Sequence, residues 1–116
     1  MPGYMLLLHG PTKEMKGISA EEIQSVIGEY FAWRNDMAAQ DRLIGGDKLT
    51  DDGGRHLRND GGQIRITDGP YAETKEALGG FFAITADGYD EAVEISKTCP
   101  HLKYGGWIEL REIDAQ

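Results

Sequence analysis

Residues 78–113 read LGGFFAITADGYDEAVEISKTCPHLKYGGWIELREI, and the fold turns on them. The opening run through Thr85 has the aromatic and apolar density of a central strand, and Gly79 and Gly80 in it allow close backbone approach by a neighbour or a ligand. Residues 89–98 then predict a short helix. Asp90 and Glu91 occupy its first turn, where a helix N-terminus favours acids, and Lys97 its last; Pro100 stops it by forcing Cys99 out of the α region. Residues 105–113 close the unit as a second strand.

Outward from that unit, towards the N-terminus, the same order recurs. Residues 4–9 are a short, nearly all-apolar run ended by Gly10-Pro11, the pattern of a strand at a sheet centre, with His9 at its C-terminal end. Ser19, Ala20, Glu21 and Glu22 form a capping box: the Ser19 hydroxyl accepts the amide three residues on and Glu22 reaches back to the Ser19 N–H, with Ile18 and Ile23 as the hydrophobic staple. Ile23, Val26, Ile27, Tyr30, Phe31 and Met37 follow at three- and four-residue spacing, which predicts a long amphipathic helix ending near Gln40. Residues 43–49 suggest a strand bent at Gly45-Gly46, and the turn Asn59-Asp60-Gly61-Gly62 joins two polar strands, 55–58 and 63–67, as a peripheral hairpin.

Strand-helix-strand, an inserted hairpin and strand-helix-strand give an α+β class: a ferredoxin-like split βαβ with an antiparallel sheet and both helices on one face. The other face then lacks a cover. A second copy of the chain is its simplest cover, so a homodimer with a sheet-to-sheet core is expected.

The length, 116 residues, fits one domain over residues 1–116, and a 40% hydrophobic composition can furnish its core. The net charge is −8, distributed as −2 over residues 1–58 and −6 beyond, and Lys and Arg form no cluster. Binding to nucleic acid or to an anionic membrane is therefore not expected. The single cysteine, Cys99, cannot form an internal disulfide, and no Cys/His spacing of a zinc site exists; no metal is expected, and a reducing, cytoplasmic compartment is. The first residues lack a basic segment, and their apolar run is too short for a signal peptide or a membrane span. None of the Gly-Gly pairs opens a helix as a dinucleotide fingerprint and no Gly-x-Ser-x-Gly elbow occurs, so neither a nucleotide cofactor nor serine hydrolysis is expected, and no cofactor is assigned.

The most unusual local sequence is TDGPYAETKEALGGF at residues 67–81. Its Asp-Gly-Pro-aromatic start, Ala-Glu-Thr-Lys-Glu continuation and Gly-Gly-Phe strand resemble the signature of the DGPF branch of YCII-related proteins, with Tyr71 where that motif usually has Phe. The resemblance extends to the opening strand, the first helix and the Cys99-Pro100 stop. It implies a ferredoxin-like, dimeric α+β barrel in an uncharacterised bacterial protein of a family linked in some members to sigma-factor regulators and in others to small-molecule enzymes. In the YCII-like branch with a proposed enzymatic role, a His on the first helix faces an Asp just before the Pro that ends the second. Tyr30 and Cys99 stand at those two positions, so a His–Asp base is not carried over.

Candidate chemistry has to come from other residues. His9 at a strand end is a candidate general base, against the simpler reading of a hydrogen-bonded structural His. Tyr30 and Trp33 lie three apart on the long helix and can border one pocket, the Tyr hydroxyl serving as donor or acid, or they are core. In the Asp-Gly-Pro loop, Gly69 supplies positive φ, Pro70 fixes the next φ and Asp68 accepts backbone amides, which is a structural reading. The alternative is a polar rim of Asp68, Glu73, Lys75 and Glu76 at a cleft, where Lys75 holds a carboxylate or stabilises an enolate. Cys99 at a helix C-terminus reads as packing, and His56 and His101 are scattered. The expectation is a small organic ligand in a cleft between sheet and helices, with acid–base chemistry: His9, Tyr30 and Asp68 are catalytic candidates, and Tyr30, Trp33, Asp68, Lys75 and Glu76 are ligand-binding ones. The competing expectation is a non-catalytic accessory domain whose acidic surface meets a regulatory partner such as a sigma factor.

Overall fold

The computed structural model describes residues 1–11, 19–50, 52–68 and 76–115, with the backbone alone for Pro11 and Glu76. Its elements run β1 (Gly3–Pro11), α1 (Ala20–Ala39), β2 (Leu43–Lys48), β3 (Arg55–Asp60), β4 (Gln63–Asp68), β5 (Glu76–Thr85), α2 (Tyr89–Ser96), a short 3₁₀ turn (Pro100–Lys103) and β6 (Trp107–Ile113). Four strands form an antiparallel sheet in the order β2-β5-β1-β6, and β3 and β4 pair with each other in a separate two-stranded sheet. This mixed α+β architecture with two helices is consistent with a ferredoxin-like fold.

The strand order follows hydrophobicity. β1 and β5 are the apolar runs and occupy the centre, while β2, with Asp47 and Lys48, and β6, with Glu109, Arg111 and Glu112, carry charges and take the edges. Along β1 the side chains alternate. Tyr4, Leu6 and Leu8 are buried, Leu6 lying between Phe82 of β5 and Leu110 of β6, and they share one core with Trp33 and Met37 of α1 and Ala92 of α2. Both helices therefore cover this face. Met5 and Leu7 point the other way, opposite Ala83 and Phe81 on one side and Arg111 and Glu109 on the other, on a face of half-buried apolar residues rimmed by charge.

α1 begins at the expected cap: the Glu22 N–H donates to Ser19 Oγ at 3.1 Å. The return arm differs, because the Ser19 hydroxyl donates to Glu22 Oε1 at 3.4 Å. The staple residue Ile18 lies outside the described residues. α1 ends in a Schellman arrangement, with Asp41 N–H on Ala38 O and Arg42 N–H on Met37 O, and Asp41 takes the left-handed conformation (φ 60°).

The helix does not bury the whole expected stripe. Met37 and Trp33 are buried and Val26 and Tyr30 half-buried, but Ile23 and Ile27 remain 38% exposed and Phe31 58%. The reason is angular. Each residue advances about 100°, so the four-residue steps 23, 27 and 31 creep round to the flank, away from the line of Tyr30, Trp33 and Met37 that faces the sheet.

The β3–β4 turn is tighter than expected, Gly61 (φ 60°) and Gly62 (φ 90°) forming the two-residue loop while Asn59 Oδ1 accepts the Gly62 N–H at 3.0 Å. On one face of this ribbon Leu57 opposes Ile66 and Asn59 opposes Ile64, and all three apolar side chains are exposed. β6 starts at Trp107 because Gly105 turns with φ 80°.

Candidate functional site

Tyr30 lies on the sheet-facing side of α1, one turn before Trp33 and within reach of the 3₁₀ turn that Pro100 starts. Its hydroxyl meets His101 Nδ1 at 2.9 Å, and His101 Nε2 meets the backbone carbonyl of His9 at 2.7 Å. A carbonyl oxygen only accepts, so Nε2 carries the imidazole proton. In the neutral ring Nδ1 is then the acceptor, and the Tyr30 O–H donates to it. On the sequence alone His101 reads as one of three scattered histidines; the Tyr30 hydroxyl on a largely apolar helix face needs a partner, and Pro100 starts the turn that delivers it.

Backbone proximity holds the imidazole in place. A β-carbon on Gly106 would lie 2.6 Å from His101 Cε1 and 2.7 Å from Cδ2, so only glycine leaves room for the ring. Burial, with the Cys99 thiol, Tyr104 and Glu29 nearby, pushes the Tyr30 hydroxyl up to about 12. Beside it Glu29 accepts from the Tyr104 hydroxyl and, at 2.9 Å, from Lys103 Nζ, and these two donors hold the Glu29 carboxyl below its usual range. Cys99 is buried and burial pushes its thiol up, so it packs as a neutral thiol.

Trp33 is 5% exposed, donates from Nε1 to Thr98 Oγ1 at 2.8 Å and sits with its ring 4.9 Å from that of Phe82. It ties α1 to the end of α2 across the core. The His9 ring lies on the opposite face of the sheet from Tyr30. It stacks on Trp107 with centroids 4.3 Å apart, and its Nε2 is 3.0 Å from Glu109 Oε1, which with Arg111 at 3.2 Å holds the Glu109 carboxyl down. Thus His9 meets the Tyr30 group through its main-chain carbonyl and not through its imidazole. Asp68 ends β4 in the two-stranded sheet, exposed and 3.3 Å from Arg55 Nε. Glu76 opens β5 as backbone alone, and Gly69, Pro70, Tyr71, Glu73 and Lys75 lie outside the described residues.

Open cavities among the described residues include one of about 190 Å³ between α2 and β6, lined by Val93, Leu102, Ile108 and Leu110 among others, and one of about 520 Å³ at the sheet end around Met1, Ile44 and Ile113. Among the described residues no group of three or more His, Cys, Asp or Glu is placed to hold a metal ion, and no helix is long and apolar enough to cross a membrane.

The model of the YCII-related domain matches residues 3–114, nearly the whole chain. The chain belongs to the YCII-related family. An uncharacterised protein of Rhizobium meliloti (strain 1021) is 44% identical to this YCII-related chain over 41 residues, a match covering 35% of the chain and 33% of that protein. The relative's name carries no activity, so chemistry has to be argued from the Tyr30 group itself.

Proposed function

We propose that this YCII-related protein binds a small organic molecule where α1 and the 3₁₀ turn meet the end of β1, and moves a proton there through Tyr30 and His101. The observation that carries this reading is the orientation of His101, whose Nε2–H is fixed on the His9 carbonyl so that Nδ1 is left to accept from Tyr30. A phenol held protonated to about 12 does not work as a standing phenolate near neutrality. It works as a relay. The ligand's proton passes to the Tyr30 oxygen while the Tyr30 proton passes to His101 Nδ1; Tyr30 ends neutral, and the imidazolium keeps both N–H groups hydrogen-bonded. The reverse transfer returns the proton.

The reading extends to the assembly: a DGPF-type unit over residues 1–116, cytoplasmic, with a hairpin inserted between the two βαβ halves, paired as a dimeric α+β barrel. The half-buried Met5, Leu7 and Phe81 on the helix-free face support a sheet-to-sheet homodimer. Trp33, Asp68, Lys75 and Glu76 remain proposed contributors to ligand binding and Asp68 to catalysis, whereas the part proposed for His9 is that of its main-chain carbonyl, which holds His101.

Thermal-shift screening of small molecules followed by calorimetric titration tests the site. Tyr30→Phe and His101→Gln are expected to keep the fold and to weaken the ligand found by about 0.5–3 kcal/mol each. Unaltered affinity and unaltered turnover in both variants overturn the reading. One observation favours the accessory-domain alternative, namely the β3–β4 ribbon whose Leu57, Ile64 and Ile66 are 64%, 60% and 64% exposed. A partner protein that binds through them, with no small ligand in the screen, is the outcome that reading expects.

A further inference from the structure

Arg34 follows Tyr30 by four residues on α1, so the two side chains are neighbours on one helix face with β-carbons about 5–6 Å apart. Helical side chains lean towards the helix N-terminus, so Arg34 and Tyr30 run along the same face of α1 in the same sense. Arg34 is half-buried, and its Nε is shielded from solvent with no hydrogen-bond partner. A shielded, unsatisfied N–H on a charged group is costly, and the two Nη groups, neither shielded nor hydrogen-bonded among the described residues, are the donors that a ligand from solution can reach.

The lack of a partner is notable in a chain with 20 acidic and 12 basic residues. Arg42, Arg55, Arg65, Lys97, Lys103 and Arg111 each have a carboxylate within 3.3 Å. Among the described residues none stands against Arg34. A guanidinium presents N–H donors in a planar fork that fits a carboxylate with two parallel hydrogen bonds. We infer that Arg34 is the anchor for the carboxylate of the ligand, which makes the substrate class a small organic acid whose exchangeable proton falls beside Tyr30.

This rests on the acid–base reading of Tyr30 and His101 and adds to it the charge and the orientation of the substrate. The anchor and the tyrosine of the relay stand four residues apart on α1, about one helical turn. An acid held this way loses its proton next to a fixed positive charge, which favours the anion that forms.

The test titrates the protein with acetate, pyruvate and benzoate, and with acetamide, pyruvamide and benzamide as uncharged counterparts, by calorimetry and by the ¹⁵N–¹H resonance of the Arg34 Nε. At least one carboxylate is expected to bind saturably, to shift that resonance, and to bind at least about tenfold more tightly than its amide. Arg34→Gln is expected to lose about 10- to 100-fold in that affinity, and Arg34→Lys, which keeps the charge without the fork, to fall between. Thermal melts check that both variants fold. Equal affinity for acid and amide, unchanged affinity in Arg34→Gln, or no carboxylate of the three binding overturns the anchor.

Sedimentation of Arg34→Gln separates the other source of a carboxylate, a side chain of a second copy. Dissociation of an assembly with carboxylate affinity unchanged makes Arg34 a subunit contact and also overturns the anchor. Carboxylate binding that depends on Arg34, while Tyr30→Phe and His101→Gln leave affinity and its pH dependence untouched, removes the relay and keeps the anchor. Binding that depends on Tyr30 and His101 but not on Arg34 removes the anchor and keeps the relay.

Discussion

At the scale of the residue, Tyr30 ties the proposed chemistry to a pH response of stability. A free tyrosine titrates at 10.0, whereas burial beside Cys99 and Tyr104 pushes Tyr30 up to about 12. The folded state thus resists an ionisation that the unfolded chain accepts, and the stability this contributes is full below pH 10 and lost as pH rises from there to about 12. Denaturant midpoints across that interval are expected to fall more steeply for the wild type than for Tyr30→Phe. Parallel slopes would show that Tyr30 does not titrate differently in the two states. Gly106 is the second telling residue, because a β-carbon there lies 2.6 Å from His101 Cε1. Gly106→Ala must displace the ring, break its bond to the His9 carbonyl and cost about 1–3 kcal/mol. Equilibrium unfolding measures the cost, and loss of a Tyr30–His101 contact in the imidazole NMR resonances reports the displacement. Tyr30 was legible in the sequence as a candidate, and so was its need for a partner, but not that His101 is the partner, since 71 residues separate the two and no local spacing links them.

Among the elements, those with strong local signals were readable. Although α2 ends at Ser96 instead of 98 and Lys97 is its cap and not part of its last turn, the Ser19 side of the α1 cap, the length of that helix, the extended Cys99 before Pro100 and the apolar β1 and β5 follow from short-range patterns. The burial of α1 does not, because Ile23, Ile27 and Phe31 repeat at helical spacing as well as Tyr30, Trp33 and Met37 do, and only the position of the sheet selects between the two stripes. The glycines of β5 signal a close approach locally, but not that β2 is the strand that makes it. A β-carbon on Gly80 would lie 2.9 Å from Asp47 O, and one on Gly46 2.8 Å from Phe81 O, so the seam needs both glycines for space. Gly80→Ala is expected to destabilise by about 1–3 kcal/mol, read as a lowered urea midpoint with an unchanged slope. A midpoint equal to wild type would mean that β2 shifts freely. The link between β2 and α2 is electrostatic: Arg42 Nη1 donates to Thr85 O at 3.1 Å and to Glu91 Oε1 at 2.9 Å, while Glu91 also caps the Asp87 N–H.

For the whole molecule, assembly turns on the face of the sheet that the helices leave bare. One face of the four-stranded sheet carries the helices, and the other presents Met5, Leu7 and Phe81 with His9, Glu109 and Arg111 at its rim. Two such faces packed together remove apolar area from water at about 25 cal/mol per Å². Sedimentation at micromolar concentration is expected to show a species of twice 12.8 kDa, and Leu7→Arg is expected to reduce it to the single chain. A wild-type 12.8 kDa species under those conditions removes the sheet-to-sheet assembly.

The sequence by itself determined the α+β class, the order of the strands and helices along the chain and the YCII-related membership, because caps, breakers, apolar runs and a family signature are carried by neighbouring residues. Only the tertiary structure decided which face of α1 is buried, brought His101 to Tyr30 and left Arg34 without a carboxylate. These are contacts between segments far apart in the chain. They depend on the angle and register at which packed elements meet, and no local pattern encodes that geometry.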